Sequence, residues 1–469
     1  MIPEIAIIGH PNEGKSSVLS TLAEDDSVRI SPYPGETTQC RTFPVLIDKR
    51  EILRFTDTPG FQSPSRILSE LKTYEGSSEI RLEKLLRYTG AHEELAEDHQ
   101  LLLPIGRGAG IIYVVDGARP IRGVDRDEME ILRLIGRPRM AVINCKQEEN
   151  RYLADWKDEL AKHFNSSRVF NAHRATYAER IALFEALTSI DQDWQQILTE
   201  VVDAIKKDWQ ARTRTTARLL STLLTESLAL ELTARLKTGS DEQALRSKLI
   251  ERYTKTIAEL ESGTHEKMRG LFKHNIFDYR LPHYSILHEE LFSERTWQFL
   301  GLTRQQFILL GGIGGGVVGA GVDVAALGHG LGLFTALGAL GGVLGALTGG
   351  KRLDYEASLL GIHIAGPQIK IGPAGTISLL FVLINRALLF YQHVANWAHG
   401  RRDYSEQNSF PSHTDNPSFT KSWSAQQLKC CHGFFKSAAQ PDSEKHQAYV
   451  TEMQEILISA LQGISEHDS

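Results

Sequence analysis

The sequence predicts an α/β sheet domain over its first 188 residues, then a mainly helical region with a glycine-rich helical hairpin and a small α+β C-terminal part. Three observations predict this. Short apolar runs alternate with helical segments up to about residue 185. From about Asp191 the apolar residues fall at helical spacing instead, as in Trp194, Leu198, Val201, Val202, Ile205 and Trp209. Finally, Phe307–Gly350 is dominated by Gly, Ala, Leu and Val and contains no Lys or Arg.

The strands expected in the first part are Glu4–Ile8, Thr42–Ile47, Ile52–Thr56, Ile111–Asp116, Met140–Asn144 and Arg168–Asn171, with a helix over Ser17–Leu22. Phe61–Gly110 is longer than a simple crossover needs and holds a charged helical run, Ser77–Tyr88, so an inserted helical element is expected there. A second unit, 189–302, reads as all-helical, with a helix opening at Ser240 where Ser240 and Gln243 fit a capping box. Unit 303–352 opens on another such box, Thr303 and Gln306, and closes on Lys351–Arg352. In 353–469, Gly361–Ala365 and Gln368–Gly372 read as strands and Ile377–Ala398 as a helix. Residues 403 to about 443 read as polar and irregular, and Tyr449, Met453, Ile456, Leu457, Ala460 and Leu461 mark a last amphipathic helix.

A net charge of −6 gives no bulk support for a nucleic-acid binder. The four cysteines, Cys40, Cys145, Cys430 and Cys431, have neither metal-ligand spacing nor a disulfide framework, as expected in a reducing cytosol. Cys430–Cys431–His432 is read as incidental rather than metal-binding. No signal peptide is expected, because Ile5–Gly9 already reads as a buried strand.

Gly9-His10-Pro11-Asn12-Glu13-Gly14-Lys15-Ser16 fits the phosphate-loop spacing G-x-x-x-x-G-K-[ST] between a strand and a helix. Amides of Asn12, Glu13, Gly14, Ser16 and Ser17 can cradle phosphate at the helix N-terminus. Lys15 would neutralise β/γ charge and the Ser16 hydroxyl would bind Mg²⁺. Asp57-Thr58-Pro59-Gly60 ends the next apolar run. Asp57 can hold the magnesium shell, and the Gly60 amide can approach a γ-phosphate.

With Pro34-Gly35-Glu36-Thr37-Thr38-Gln39 between these motifs, residues 1–185 resemble the Era/TrmE branch of the P-loop GTPases. The resemblance implies GTP and GDP as ligands and Mg²⁺ as cofactor, with Thr38 as a switch ligand to Mg²⁺ and Thr37 as the fallback. It implies Lys15, Thr38 and Gly60 as the catalytic set. It also implies K⁺ at Asn12, which holds the Asn place of G-x-P-N-x-G-K. Phe61 follows the DxxG motif where Ras-like enzymes keep a water-orienting Gln, so slow hydrolysis by another device is expected; Gln62 is displaced by one.

The base motif N-K-x-D is degenerate here. In one register Asn144 keeps its place, Cys145 replaces the Lys and Gln147 the Asp. In the other, Lys146 and Glu148 fit K-x-[DE]. Asn171-Ala172-His173 stands where S-A-K would be, with the Ala172 backbone on the base.

Gly312, Gly316 and Gly315, Gly319 have G-x-x-x-G spacing, so Phe307–Val322 and Leu331–Thr348 can pack as a hairpin around Asp323–Gly330. A 16-residue helix spans roughly 24 Å, short of the ~30 Å hydrocarbon core. The segment therefore reads as a partly inserted membrane element or as a buried soluble pair. Together with Ile371–Arg402, these features resemble the bacterial DUF3482 family, GTPases with a C-terminal domain of unknown function. Ile371-Gly372-Pro373-Ala374-Gly375 imitates the loop of a KH domain but follows a strand, so RNA binding through it is not expected.

The expectation is a slow GTPase, a nucleotide-switched regulator acting at a membrane through 307–350 or on an unidentified protein partner. It would be cytoplasmic, peripheral to or partly inserted in the inner membrane. The alternatives are a ribosome or RNA-processing GTPase and a nucleotide-dependent scaffold with negligible turnover.

Overall fold

The computed structural model describes residues 2–10, 12–23, 39–47, 49–145, 151–172, 175–190, 192–236, 241–272, 287, 291–292, 363–365, 368–395 and 418–466. The first part is a six-stranded sheet in the order β2-β3-β1-β4-β5-β6. The strands are β1 (Glu4–Ile8), β2 (Arg41–Ile47), β3 (Arg50–Asp57), β4 (Gly110–Asp116), β5 (Arg139–Asn144) and β6 (Ser167–Phe170), each within two residues of its expected ends. All pairings are parallel except the edge pair of β2 with β3.

The central strands are apolar on both faces because helices cover both. Side chains alternate along β1, so Ile5 and Ile7 enter one core while Ala6 and Ile8 enter the other. The first core is closed by α1 (Lys15–Ala23), α7 (Tyr177–Thr188) and the start of α8 (Gln192–Ala229). The second is closed by α2 (Pro64–Lys72), α3 (Ser78–Gly90), α4 (Ala96–Gly106), α5 (Gly123–Ile135) and α6 (Leu153–Leu160). The insertion expected over Phe61–Gly110 is thus α2, α3 and α4, with a 3-10 turn at Glu93–Leu95.

Helix α8 runs for 38 residues, roughly 57 Å at 1.5 Å per residue. Leu198, Val201, Val202 and Ile205 pack on the first sheet, whereas Trp209, Ala217, Leu220, Leu224 and Leu228 belong to a separate core. That core joins α9 (Glu242–Leu271) to α10 (Ser378–Ala395), α11 (Ala425–Ser437) and α12 (Glu444–Glu466).

The structure corrects three expectations. The middle region is not all-helical: β7 (Leu232–Arg235) follows α8 and pairs antiparallel with β9 (Gln368–Ile371), which also pairs with β8 (His363–Ala365). The N-cap of α9 is Asp241, whose Oδ1 accepts from the Ala244 amide at 3.1 Å; Ser240 lies outside the described residues. The stretch expected to be irregular contains α11, started by a capping box of Ser424 and Gln427. Cys430 and Cys431 are buried on α11, where burial pushes both thiols up.

The Ile371–Gly375 stretch joins β9 to α10 and folds onto the end of α8, where the Ala374 amide donates to the Leu228 carbonyl at 2.9 Å. Gly372 has φ +88°, and a Cβ there would lie 1.9 Å from the Leu230 carbonyl oxygen. The glycine is required by close packing against α8. Helix α10 is long and apolar enough to cross a membrane, but 89% of that window is buried in the core. Phe307–Gly350, the Thr303–Gln306 box and the end of the expected Ile377–Ala398 helix lie outside the described residues.

Candidate nucleotide site

The site is built at the C-terminal ends of β1, β3, β5 and β6, where an open α/β sheet leaves room for a ligand. β1 stops at Ile8, and Gly9 turns the chain so close to β4 that a Cβ would lie 2.2 Å from the Val114 carbonyl oxygen. Asn12 and Gly14 follow with φ of 69° and 91°, and α1 begins at Lys15. This leaves the first-turn amides of α1 facing the loop, an arrangement suited to anions. The Lys15 ammonium donates to the His10 carbonyl at 3.1 Å, across the loop that it would serve.

Asp57 ends β3 beside Ile7 of β1 and is buried. The Ser16 hydroxyl donates to Asp57 Oδ2 at 3.1 Å. Two hard oxygens therefore meet where a magnesium ion with phosphate ligands would sit. The Thr58 hydroxyl anchors the next residue to the Ile7 carbonyl at 2.7 Å. Phe61 is 1% exposed and its side chain packs in the second core. The Gln62 amide nitrogen Nε2 donates to the Gly60 carbonyl at 3.2 Å.

Asn144 bridges two loops. Its Nδ2 donates to the Glu13 carbonyl at 3.1 Å and its Oδ1 accepts from the Ala172 amide at 3.2 Å. The Thr21 hydroxyl holds the Ala172 carbonyl at 2.8 Å. Of the two registers open in the sequence, this geometry favours the one in which Asn144 keeps its place. Thr37, Thr38, Lys146, Gln147, Glu148 and His173 lie outside the described residues.

The phosphate loop is also held from beneath, by groups that sequence reasoning missed. The Glu13 carboxylate, buried, accepts from the Asp116 amide and from Arg119 Nε at 2.5 Å. Arg119 binds Asp125 of α5 bidentately at 2.7 and 2.8 Å and lies over the Trp156 ring, 5.1 Å from its centroid. Burial raises the Glu13 carboxyl above its ordinary value despite Arg119. Burial also opposes the charge on Asp125, but bonds from Arg119 and Arg122 outweigh it and hold that carboxyl below the usual range. One turn along α5, Glu128 is hydrogen-bonded to His10 Nδ1 at 3.2 Å and accepts from the Tyr113 hydroxyl at 2.8 Å. The signal for this clamp was an acidic residue inside an anion-binding loop, which needs a cation such as Arg119 or Arg122 nearby.

Residues 4–145 match the family model described as 50S ribosome-binding GTPase, and residues 157–461 match Domain of unknown function (DUF3482). GTPase Der of Thermotoga neapolitana is 27% identical over 217 residues, 45% of this chain and 40% of that protein. The probable GTP-binding protein EngB of Chlorobaculum parvum is 30% identical over 191 residues, 39% of this chain and 87% of that protein. Era of Aquifex aeolicus, solved with GDP and aluminium fluoride, is 20% identical over 36% of this chain and 51% of that chain, with a TM-score of 0.25. The chain spans less than half the length of the Der protein that it matches. The match over its larger part, with the phosphate loop and DTPG turn before it, places the chain in the DUF3482 family, as an Era/TrmE-like P-loop GTPase domain followed by a domain of unknown function.

Proposed function

We propose that this protein binds GTP and Mg²⁺, hydrolyses GTP slowly and uses the nucleotide state to regulate a partner protein or a membrane event. The observation that carries the reading is the meeting of Lys15, Ser16, Asp57 and the Asn144 bridge at one end of the sheet. Ser16 would ligate Mg²⁺ directly and Asp57 would hold its shell, with Thr38 joining in the triphosphate state. The ion would neutralise charge between the β- and γ-phosphates. Lys15 would exchange the His10 carbonyl for phosphate oxygens, and the Gly60 amide would meet the γ-phosphate. Asn12, in the left-handed region at φ 69°, is assigned to K⁺ beside the phosphates.

The test is calorimetry with GTP and GDP alongside circular dichroism. Lys15→Ala and Asp57→Ala should abolish Mg²⁺-nucleotide binding or hydrolysis with the fold intact. Wild-type affinity in both folded variants would sink the assignment. Hydrolysis should run faster in KCl than in NaCl at equal ionic strength, and Asn12→Ala should erase that difference; indifference to the cation removes the K⁺ assignment alone.

The burial of Phe61 favours a second reading, a nucleotide-dependent scaffold with negligible turnover. Tight binding with no phosphate release in either salt would select it. The membrane part of the proposal rests on Phe307–Gly350 and places the protein in the cytoplasm, peripheral to or partly inserted in the inner membrane.

A further inference from the structure

Asp98, on α4, is fully buried without a cationic partner among the described bonds. Its Oδ1 accepts from the Gln62 amide at 2.9 Å and, more distantly, from the Ser63 amide at 3.5 Å. Its Oδ2 has no hydrogen-bond partner among the described residues, and burial raises the carboxyl above its ordinary value. A buried carboxylate is expensive and persists where its bonds matter. These bonds fall on the two residues after Phe61, directly beyond the DTPG turn. Ser63 is the N-cap of α2 and makes no side-chain capping bond itself, although serine is well suited to do so. Asp98 instead reaches from another helix to the amides of the N-cap and of the residue before it. α4 also supplies Leu101, Leu102 and Ile105 to the core that holds Phe61. At its far side the Gln100 carbonyl accepts from Cys40 Sγ at 3.1 Å, just before β2. One helix therefore grips both the segment after Gly60 and the segment entering β2.

We infer that Asp98 is a positioning residue: by holding the Gln62 and Ser63 amides it fixes the backbone after Gly60, so that the Gly60 amide faces the terminal phosphate. The inference rests on the GTPase reading proposed above. α4 is then the element through which the helical insertion senses or sets the nucleotide state. Losing a charge-assisted hydrogen bond of this kind should lower kcat by about ten- to a hundredfold.

The experiment compares Asp98→Ala and Asp98→Asn in the full chain. Asn keeps an acceptor oxygen in the same place, whereas Ala does not. Asp98→Ala should lower kcat and weaken a non-hydrolysable GTP analogue while leaving GDP affinity within about twofold, because only the triphosphate meets Gly60. Asp98→Asn should restore kcat to within about threefold. Hydrogen–deuterium exchange should quicken at residues 60–64 in Asp98→Ala and stay slow in Asp98→Asn, with the strands β1, β3 and β4 protected in both. Equal exchange at 60–64 in wild type and Asp98→Ala overturns the inference whatever the nucleotide result. So does an equal loss of GDP and GTP-analogue affinity, or a failure of Asn to restore kcat. A wild type that binds no guanine nucleotide sinks the GTPase reading instead, and the exchange comparison still decides whether Asp98 holds this segment.

Discussion

Arg119 reaches from the loop after β4 into the phosphate loop and binds the Glu13 carboxylate at 2.5 Å, while its other guanidinium nitrogens hold Asp125 of α5. The loop that would bind phosphate is thereby tied to the first turn of a helix on the other side of the sheet. Four neighbouring charges, Glu13 and Asp125 with Arg119 and Arg122, sit in a place where an unpaired carboxylate would be costly.

Arg119→Ala removes the cation and leaves Glu13 with the Asp116 amide and Arg122, which is 3.7 Å away. Breaking a buried pair costs ~3–5 kcal/mol. The lower end, about 3 kcal/mol, is expected here because the Arg119 side chain keeps a fifth of its surface in solvent. Adding Glu13→Gln to Arg119→Ala should recover part of the loss, because the buried charge goes with it. Urea unfolding of wild type, both single variants and the double variant measures the coupling. Additive losses would show that Glu13 and Arg119 do not support one another.

Asn144 is the second tie on the same loop. Asn144→Ala leaves the Glu13 carbonyl and the Ala172 amide without the side chain that joins them. An unsatisfied buried group costs ~1–3 kcal/mol, so guanine-nucleotide affinity should fall about tenfold or more. Gln147→Asp tests the register that this bridge favours. A charged acceptor at that place should raise the preference for GTP over ATP by about tenfold or more, because hydrogen bonds to a charged group are stronger. Competition binding with GTP, XTP and ATP checks it. An unchanged preference would return the base contact to Lys146 and Glu148.

The six strands of the first sheet could be read from sequence because most are short, β-rich runs and loop signals follow several of them. The register of the base motif could not, because Asn-Cys-Lys-Gln-Glu fits two alignments; the hydrogen bonds of Asn144 to Glu13 and Ala172 favour one of them. β7 was hidden for a different reason. Leu-Thr-Ala-Arg is a weak strand between two long helices, and its partner β9 lies far along the chain, so the pairing is set by tertiary contact rather than local preference. α11 was hidden because its apolar face is built partly from Cys430 and Cys431, which the sequence argument weighed as chemistry rather than as packing. Asp98 left no signal: it is one acid among several at the start of α4, and only its position over the Gln62 amide distinguishes it.

The core shared by α8, α9, α10, α11 and α12 carries a pH response. His265 of α9 stacks on Phe390 of α10 with ring centroids 4.0 Å apart, beside the buried Glu261–Arg386 pair. Burial is the main cause that takes its pKa from 6.5 down to about 4; Arg386 lowers it further and Glu261 opposes. Between those values the unfolded chain binds the proton and the folded chain does not. Stability should therefore be full above about pH 6.5 and fall as the pH drops towards 4, by about 3 kcal/mol at most and by about 2 kcal/mol at pH 5. His265→Phe keeps the stack and removes the titration. Its urea midpoint should fall less than that of wild type between pH 7 and pH 5, and parallel losses would show that other groups set the acid response.

The proposed membrane element is the glycine-rich segment Phe307–Gly350, because the apolar surface of α10 is already used in the core that it shares with α8, α9, α11 and α12. Two helices joined near Asp323–Gly330 would pack through glycine faces that let backbones approach closely. A bulky side chain on such a face should be felt, so Gly315→Leu should disturb the hairpin while Leu331→Met is tolerated. Full-length protein should sediment with liposomes and a variant lacking residues 307–350 should stay in solution. If the GTPase domain governs the segment, the bound fraction should differ between GTP and GDP, and Lys15→Ala should remove that difference without abolishing sedimentation. Protein that remains in the supernatant with GTP, with GDP and without nucleotide would make the segment a buried soluble pair. The regulated partner would then have to be sought on the outer faces of α8, α9 and α12, where the helices are charged and the core does not use them.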